Sequence, residues 1–182
     1  FTEDDIHFVT QAEQLGTGHA AMQAVPLLDD RWPTLILYGD VPLIQIDTLK
    51  RLIHTTSAIT LGVLTTCLDD PSGYGRIVRR EGNITHIVEQ KDASPTEQAI
   101  VEINTGIFIF PTAHLKRWLA TLSNHNAQGE YYLTDLVACA ATEKITINSQ
   151  NPSHSWEILG VNNKTQLAQL ERILQRTRAQ QL

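Results

Sequence analysis

Two kinds of hydrophobic spacing alternate along the chain. Near-continuous apolar runs, "TLILY" at 34–38, "AITLGVLTTCL" at 58–68 and "VEINTGIFIFP" at 101–111, have the length of buried strands. Between and after them lie stretches with apolar residues three and four apart, one face of a helix: "DTLKRLIHTT" at 47–56, "TAHLKRWLATL" at 112–122 and "GEYYLTDLVACAATE" at 129–143. At the front, "IHFVTQ" predicts a short strand, and "GTGHAAMQAVPLL" a helix with Ala20, Ala21, Ala24 and Leu27 on one side. "KITINSQ" and "SWEILGV" predict two further strands. The last helix is expected from the Asn162-Asn163 pair onward, with Leu167, Leu170, Ile173 and Leu174 at core spacing.

One stretch departs from this alternation. In "DDPSGYGRIVRREGNITHIVEQKD" two period-2 segments flank Glu81-Gly82-Asn83, the pattern of a β-hairpin. Strands alternating with helices predict an α/β fold, a mixed and mostly parallel sheet with helices on both faces, and the hairpin is an inserted antiparallel portion. In such sheets ligands bind where strands end and loops begin. The residues that close the apolar runs are therefore the ones with chemistry to explain.

Those residues are polar or glycine: Gln11 after the first strand, Gly16 and Thr17 in "LGTG", Asp40 after the second, Gly75 in the glycine-rich loop, Glu89 and Asn104 on the middle strands, and Asn162 after the last. Gly16 and Gly18 let backbone approach a flat or anionic ligand at a helix start, or they form a tight turn with Thr17 as the helix N-cap. Asp40 is a turn-former before Pro42, or a ligand for a hard divalent cation whose other positions substrate phosphates fill. Asn162 is a neutral amide suited to the same ion, or a helix N-cap, and two adjacent asparagines allow both roles to be filled. "DDPSGYGRI" does not match a Walker phosphate loop, and neither a Ser-His-Asp order nor an H-E-x-x-H motif is present.

Composition narrows the partners. A formal charge of -6 argues against a nucleic-acid backbone or an anionic membrane as the main partner, and no apolar run approaches the roughly 18 residues of a membrane span. Cys67 and Cys139 are flanked by small or apolar residues and are expected to be core thiols, with no disulfide framework or zinc spacing. A cytoplasmic location is the default expectation. The chain opens on Phe1 and stops within a helical pattern, so it is expected to be a piece of a longer protein.

Seven segments, "QAEQLGTGHA", "LYGDVPLI", "DDPSGYGRIVR", "IVEQKDA", "EINTGI", "NAQGEYYLTD" and "GVNNKTQL", together resemble the uridylyltransferase domain of the bifunctional bacterial enzymes that make UDP-N-acetylglucosamine. The resemblance runs in family order through nearly all of the chain. It implies a Rossmann-like, GT-A-like nucleotidyltransferase fold that joins UTP to N-acetylglucosamine 1-phosphate and releases pyrophosphate, as part of cell-envelope precursor synthesis. By the same resemblance Gln11 reads the uracil, Gly16 and Thr17 complete the nucleotide cradle, and Tyr38 and Gly39 line the floor between nucleotide and sugar. Asp40, the catalytic candidate, binds Mg²⁺ together with Asn162. Gly75, Glu89 and Asn104 match sugar-binding positions, and Thr134 is a further candidate for that pocket.

The departures from the family pattern carry expectations too. The family opens with a strand and a glycine-rich triphosphate loop followed by a Pro-Lys pair, and ends in a left-handed β-helix that carries acetyl transfer and trimerisation. Residues 1–182 match neither part. The expectation is a partial nucleotidyltransferase domain without its first βα unit, ending in a helix over about 163–182. Its own activity is expected to be very low, with a homotrimer only for the full-length protein. The alternatives are transfer to another sugar phosphate or from another base, and a sugar-nucleotide-binding domain without chemistry; a GT-A glycosyltransferase would carry two aspartates one residue apart, where Gly39-Asp40-Val41-Pro42 supplies one.

Overall fold

A computed structural model describes residues 6–57 and 59–180. Six strands, β1 (Thr34–Ile36), β2 (Thr60–Cys67), β3 (Arg76–Arg80), β4 (Asn83–Val88), β5 (Glu102–Phe110) and β6 (Thr146–Gln150), form one sheet. Its order is β4-β3-β5-β2-β6, with β1 also paired to β5. Five helices, α1 (Thr17–Ala24), α2 (Ile46–His54), α4 (Thr112–Leu119), α5 (Asp135–Thr142) and α6 (Lys164–Gln180), are joined by the single turn α3 (Pro95–Gln98).

The sheet is mixed, and its parallel character lies in strand direction. β5 runs antiparallel to β1, β2 and β3, and β6 runs parallel to β2, so β1, β2, β3 and β6 share one direction. Among the described residues, only β2–β6 is a parallel ladder, because β5 is inserted between strands that would otherwise lie side by side. The expected hairpin is β3–β4, whose turn places Glu81 at φ 50 and Gly82 at φ 81. Two consecutive left-handed residues suit the twist of a two-residue hairpin.

Alternation along β5 sorts the core into two layers. Phe108 and Phe110 pack on one face with Leu61, Val63, Ile77 and Ile87 of the neighbouring strands and with Leu115 and Trp118 of α4 and Leu136 and Val137 of α5. Ile103, Ile107 and Ile109 face the other way, against Leu52 of α2 and Ile158. Helices on both faces are thus as expected. Buried Glu157 joins the second layer to the loop before α2, since its carboxylate accepts from Gln45 N (3.2 Å) and from His154 N (2.9 Å).

Several expectations are corrected. "IHFVTQ" is irregular, with Ile6, Phe8 and Val9 exposed, because it has no ladder partner among the described residues. "SWEILGV" holds a 3-10 turn at Ser155–Ile158, fixed when Glu157 turns back onto His154 N. Cys67 is exposed at the end of β2, and Cys139 is half-buried. Among the described residues of α6, Leu170 is buried (3 % exposed), Ile173 and Leu174 are half-buried, and Leu167 is 54 % exposed. No helix among the described residues is long and apolar enough to cross a membrane.

Candidate active site

Six of the candidate residues come together. Tyr38, Asp40, Gly75, Glu89, Asn104 and Asn162 line one open cavity of ≈ 470 Å³. Their elements explain the convergence. β1 runs into Tyr38-Gly39-Asp40, β4 into Glu89, and the loop before β3 holds Gly75. β5 contributes Asn104, and the turn into α6 contributes Asn162.

On the β1 side, the backbone carbonyl of Asp40 accepts from Val161 N (2.8 Å), which brings the turn before α6 against the end of the strand. Asp40 Oδ2 and Asn162 Nδ2 each lie 3.9 Å from the point where a side chain on Gly160 would begin. The two asparagines divide the work left open by the sequence. Asn163 Oδ1 accepts from Gln166 N (3.0 Å) and caps α6, while Gln166 Oε1 accepts from Asn162 N (2.7 Å). The Asn162 side chain is thereby left to the cavity.

Asp40 is exposed, and its carboxylate has neither an ion pair nor a hydrogen bond among the described residues. One free carboxylate and one free amide are hard oxygen donors suited to a divalent cation that keeps most of its shell for substrate and water. No group of three or more His, Cys, Asp or Glu among the described residues forms a self-sufficient metal cage. A cation held here therefore depends on ligand oxygens.

The side holding Glu89 and Gly75 is built differently. Glu89 Oε1 accepts from Thr134 Oγ1 (2.8 Å), and burial, the dominant cause, raises its pKa against the opposing effect of that bond. Gly75 is needed for space, since a Cβ there would lie 3.0 Å from Ile87 Cγ2 and 3.3 Å from Glu89 Oε2. The loop carrying it is held by buried Arg76, whose guanidinium donates to Tyr74 O and to Gln90 Oε1 (2.6 Å). Asn104 Oδ1 accepts from Gly106 N (3.0 Å), which leaves its amide hydrogens for a ligand.

That last contact marks a bulge. The register of β2 against β5 passes from Val63↔Phe108 to Thr65↔Asn104, so β5 spends extra residues there, and Gly106 takes φ +82. A Cβ on Gly106 would sit 2.2 Å from Tyr38 Cε2. The Tyr38 ring thus rests on the bare backbone of Gly106, and burial pushes its phenol up to about 12, keeping it protonated. Sequence reasoning missed Gly106, although a glycine inside an apolar strand was the available signal. It also missed Gly160 and Gln166, which line the cavity and had no comparable signal.

The nucleotide-side candidates form an adjoining region. Gln11, Gly16 and Thr17 line a shallow hollow of ≈ 270 Å³. Thr17 also lines an apolar groove of ≈ 680 Å³ with Tyr38, Gly39 and Asp40, which connects the two regions. Gln11 Nε2 donates to Gly16 O (3.1 Å) and lies 3.0 Å from His19 Nδ1, so its carbonyl oxygen is the atom left free. Gly16, rather than Thr17, is the N-cap of α1, and Thr17 Oγ1 instead accepts from Leu133 N (3.2 Å). Both glycines face protein: a Cβ on Gly16 would lie 2.7 Å from Tyr131 O, and one on Gly18 2.9 Å from the same oxygen. Thr134 is buried (3 % exposed) and lines none of these cavities; its hydroxyl is spent on Glu89.

A mixed sheet with a polar cavity at its strand ends, a lone carboxylate near an amide, and an adjoining glycine turn define an α/β domain with a ligand site at its strand ends. The chain belongs to the nucleotidyl transferase family, whose family model matches residues 3–176. It is 61 % identical over 180 residues to the bifunctional protein GlmU of Cupriavidus metallidurans and 63 % identical over 179 residues to that of Ralstonia pickettii. In each case 98 % of this chain is covered, and the chain spans about 40 % of the length of these relatives. Among solved structures, a UDP-glucose pyrophosphorylase complexed with UDP-glucose superimposes with a TM-score of 0.67 over 91 % of this chain and 66 % of the other, at 19 % identity, a likeness of fold.

Proposed function

We propose that this chain is the uridylyltransferase core of a longer protein that transfers a uridylyl group from UTP to N-acetylglucosamine 1-phosphate, giving UDP-N-acetylglucosamine and pyrophosphate. The observation that carries this reading is the gathering of Tyr38, Asp40, Gly75, Glu89, Asn104 and Asn162 around one cavity. A phosphate oxygen of the sugar phosphate attacks the α-phosphorus of UTP in line, and the bond to the departing pyrophosphate breaks, with no covalent enzyme intermediate. Asp40 and Asn162 would hold Mg²⁺, which when bound neutralises phosphate charge.

The chain's own residues position the substrates. The Gln11 carbonyl accepts from the uracil edge, and the Leu15–Gly18 turn and Gly39 flank the nucleotide. The free amide of Asn104 and the carboxylate of Glu89 give the sugar a donor and an acceptor at fixed places, enough to distinguish hydroxyl from N-acetyl groups. Protonated Tyr38 adds no charge to the floor of the site. A homotrimer, a cytoplasmic location and an acetyl-transferring β-helix belong to the longer protein in this reading.

Titration of UDP-N-acetylglucosamine into the ¹⁵N-labelled chain tests the assignment. The amides of Gly75, Asn104, Gly160 and Asn162 should shift together in the presence of Mg²⁺. No shift at these positions, or equal shifts with UDP-glucose, overturns the reading in favour of another sugar. Pyrophosphate release by the 182-residue chain alone should be very low; turnover at the rate of the longer relatives would show that residues 1–182 are sufficient.

A further inference from the structure

Residues 131–134, on no helix or strand, touch both sides of the site at once. Toward the turn, Tyr131 N donates to Leu15 O (2.8 Å), Tyr131 O accepts from Gly18 N (2.8 Å), and Leu133 N donates to Thr17 Oγ1 (3.2 Å). Toward the cavity, Thr134 Oγ1 donates to Glu89 Oε1 (2.8 Å). Tyr132 faces a third way, its hydroxyl donating to Asp92 Oδ2 (3.1 Å), while Asp92 N donates to Glu89 O (3.0 Å). Tyr132, Leu133 and Thr134 are buried.

This segment is short and held along its length. Besides the bonds at its two ends, Tyr132 O accepts from Asp135 N (3.3 Å), Leu133 O from Leu136 N (3.2 Å) and Thr134 O from Val137 N (3.1 Å), which ties residues 132–134 into the first turn of α5. The two glycines of the turn permit the contact, since a Cβ at either position would strike Tyr131 O. Upstream, the segment is fixed by Asn126, whose Oδ1 accepts from Glu130 N (3.2 Å) and whose Nδ2 donates to Glu130 O (2.6 Å). Nothing else among the described residues hydrogen-bonds the Glu89 carboxylate.

We propose that residues 131–134 are a strap that sets the position of the Glu89 carboxylate according to the position of the Leu15–Gly18 turn, with Thr134 a positioning residue that acts through Glu89. The strap itself stands on the contacts above, and its meaning for substrates rests on the functional reading: a nucleoside diphosphate seated at the turn presets the sugar-facing carboxylate. Glu89 then meets the sugar with one oxygen held by Thr134 and the other free. The glycine pair of the turn serves this contact between two parts of the protein.

The side-chain carboxyl ¹³C signal of Glu89 in the labelled chain reports on the strap directly. Thr134→Val should move it and Thr134→Ser should restore it. Thr17→Val, which leaves every Glu89 contact in place but removes the acceptor for Leu133 N, should move the same signal in the same direction by at least half as much. Thr17 also contacts the Tyr38 hydroxyl, so Tyr38→Phe is the control and should move Glu89 less than Thr17→Val does. A Glu89 signal unmoved by Thr17→Val, or moved equally by Tyr38→Phe, overturns the strap, and this arm decides even if Thr134→Val fails to fold. UDP separates the two ideas. Shifts at Gly16–Gly18 with Glu89 silent overturn the strap alone, whereas no shift at Gly16–Gly18 overturns the nucleotide assignment of the turn and leaves the strap to the Thr17→Val result.

Discussion

The ends of β1 and β4 each deliver a carboxylate to one cavity, and the two are held in opposite ways. Asp40 is exposed and unpartnered among the described residues, while Glu89 is half-buried with one oxygen already engaged by Thr134. A group kept free of protein contacts is available to an ion that arrives with the substrate. A group fixed and partly desolvated is suited to reading a neutral, shaped ligand such as a sugar, because its geometry is set before binding. The difference also predicts where stability and function part company: changes at Asp40 should affect chemistry alone, and changes around β4 and β5 should affect both.

Asp40→Asn gives the largest effect. It should lower pyrophosphate release by about 100-fold or more in the longer protein and abolish Mn²⁺-induced broadening of the Asn162 amide in this chain, with a melting temperature unchanged. A clear loss of stability would break the contrast. Gly106→Ala comes next. It forces a Cβ onto the Tyr38 ring at a left-handed φ and should cost about 3 kcal/mol, or roughly 9 °C in melting temperature by calorimetry.

Glu89→Gln sharpens the contrast through pH. Burial raises the Glu89 pKa in the folded protein, so the folded state binds the proton more tightly, and stability falls as pH rises from the ordinary glutamate range through the raised value. The substitution should therefore raise the melting temperature at pH 8. The gain should vanish below the ordinary glutamate pKa, where the carboxyl is protonated in both states. A gain that persists in acid would place the effect in packing instead of charge. Smallest of all, Cys67→Ser, at the exposed end of β2 and outside the cavity, should change stability by less than about 0.5 kcal/mol in thermal melts.

Much of this was legible in the sequence. The apolar runs gave β2, β5 and the β3–β4 hairpin because burial on both faces and a left-handed turn leave strong local patterns. The strand-end rule collected Asp40, Gly75, Glu89, Asn104 and Asn162, which do share a cavity, and the family resemblance added Tyr38 to them. What was illegible depends on pairing at a distance. The insertion of β5 among codirectional strands leaves no mark on local periodicity, and "IHFVTQ" has a strand's composition without a partner to make it one. The sequence left Gly16 and Gly18 as either a place for a ligand or a tight turn. That both also face Tyr131 could be seen only once residues 115 positions apart were side by side, as Gly16 and Tyr131 are. Likewise no spacing rule separates Asn162 from Asn163; the bond from Gln166 N to Asn163 Oδ1 does.

The ladder between β2 and β6 and the bond from Val161 N to Asp40 O bear on the order in which the molecule is made. On a ribosome, the strand that carries Asp40 and the edge of β2 that awaits β6 emerge well before the last quarter of the chain. Pairings over such sequence distances are late events in folding. A nascent chain halted after β5 would have most of its sheet and the Glu89–Asn104 wall, yet the carboxylate of Asp40 would face no amide. The Asp40–Asn162 half of the site is thus assembled last, when the turn before α6 arrives.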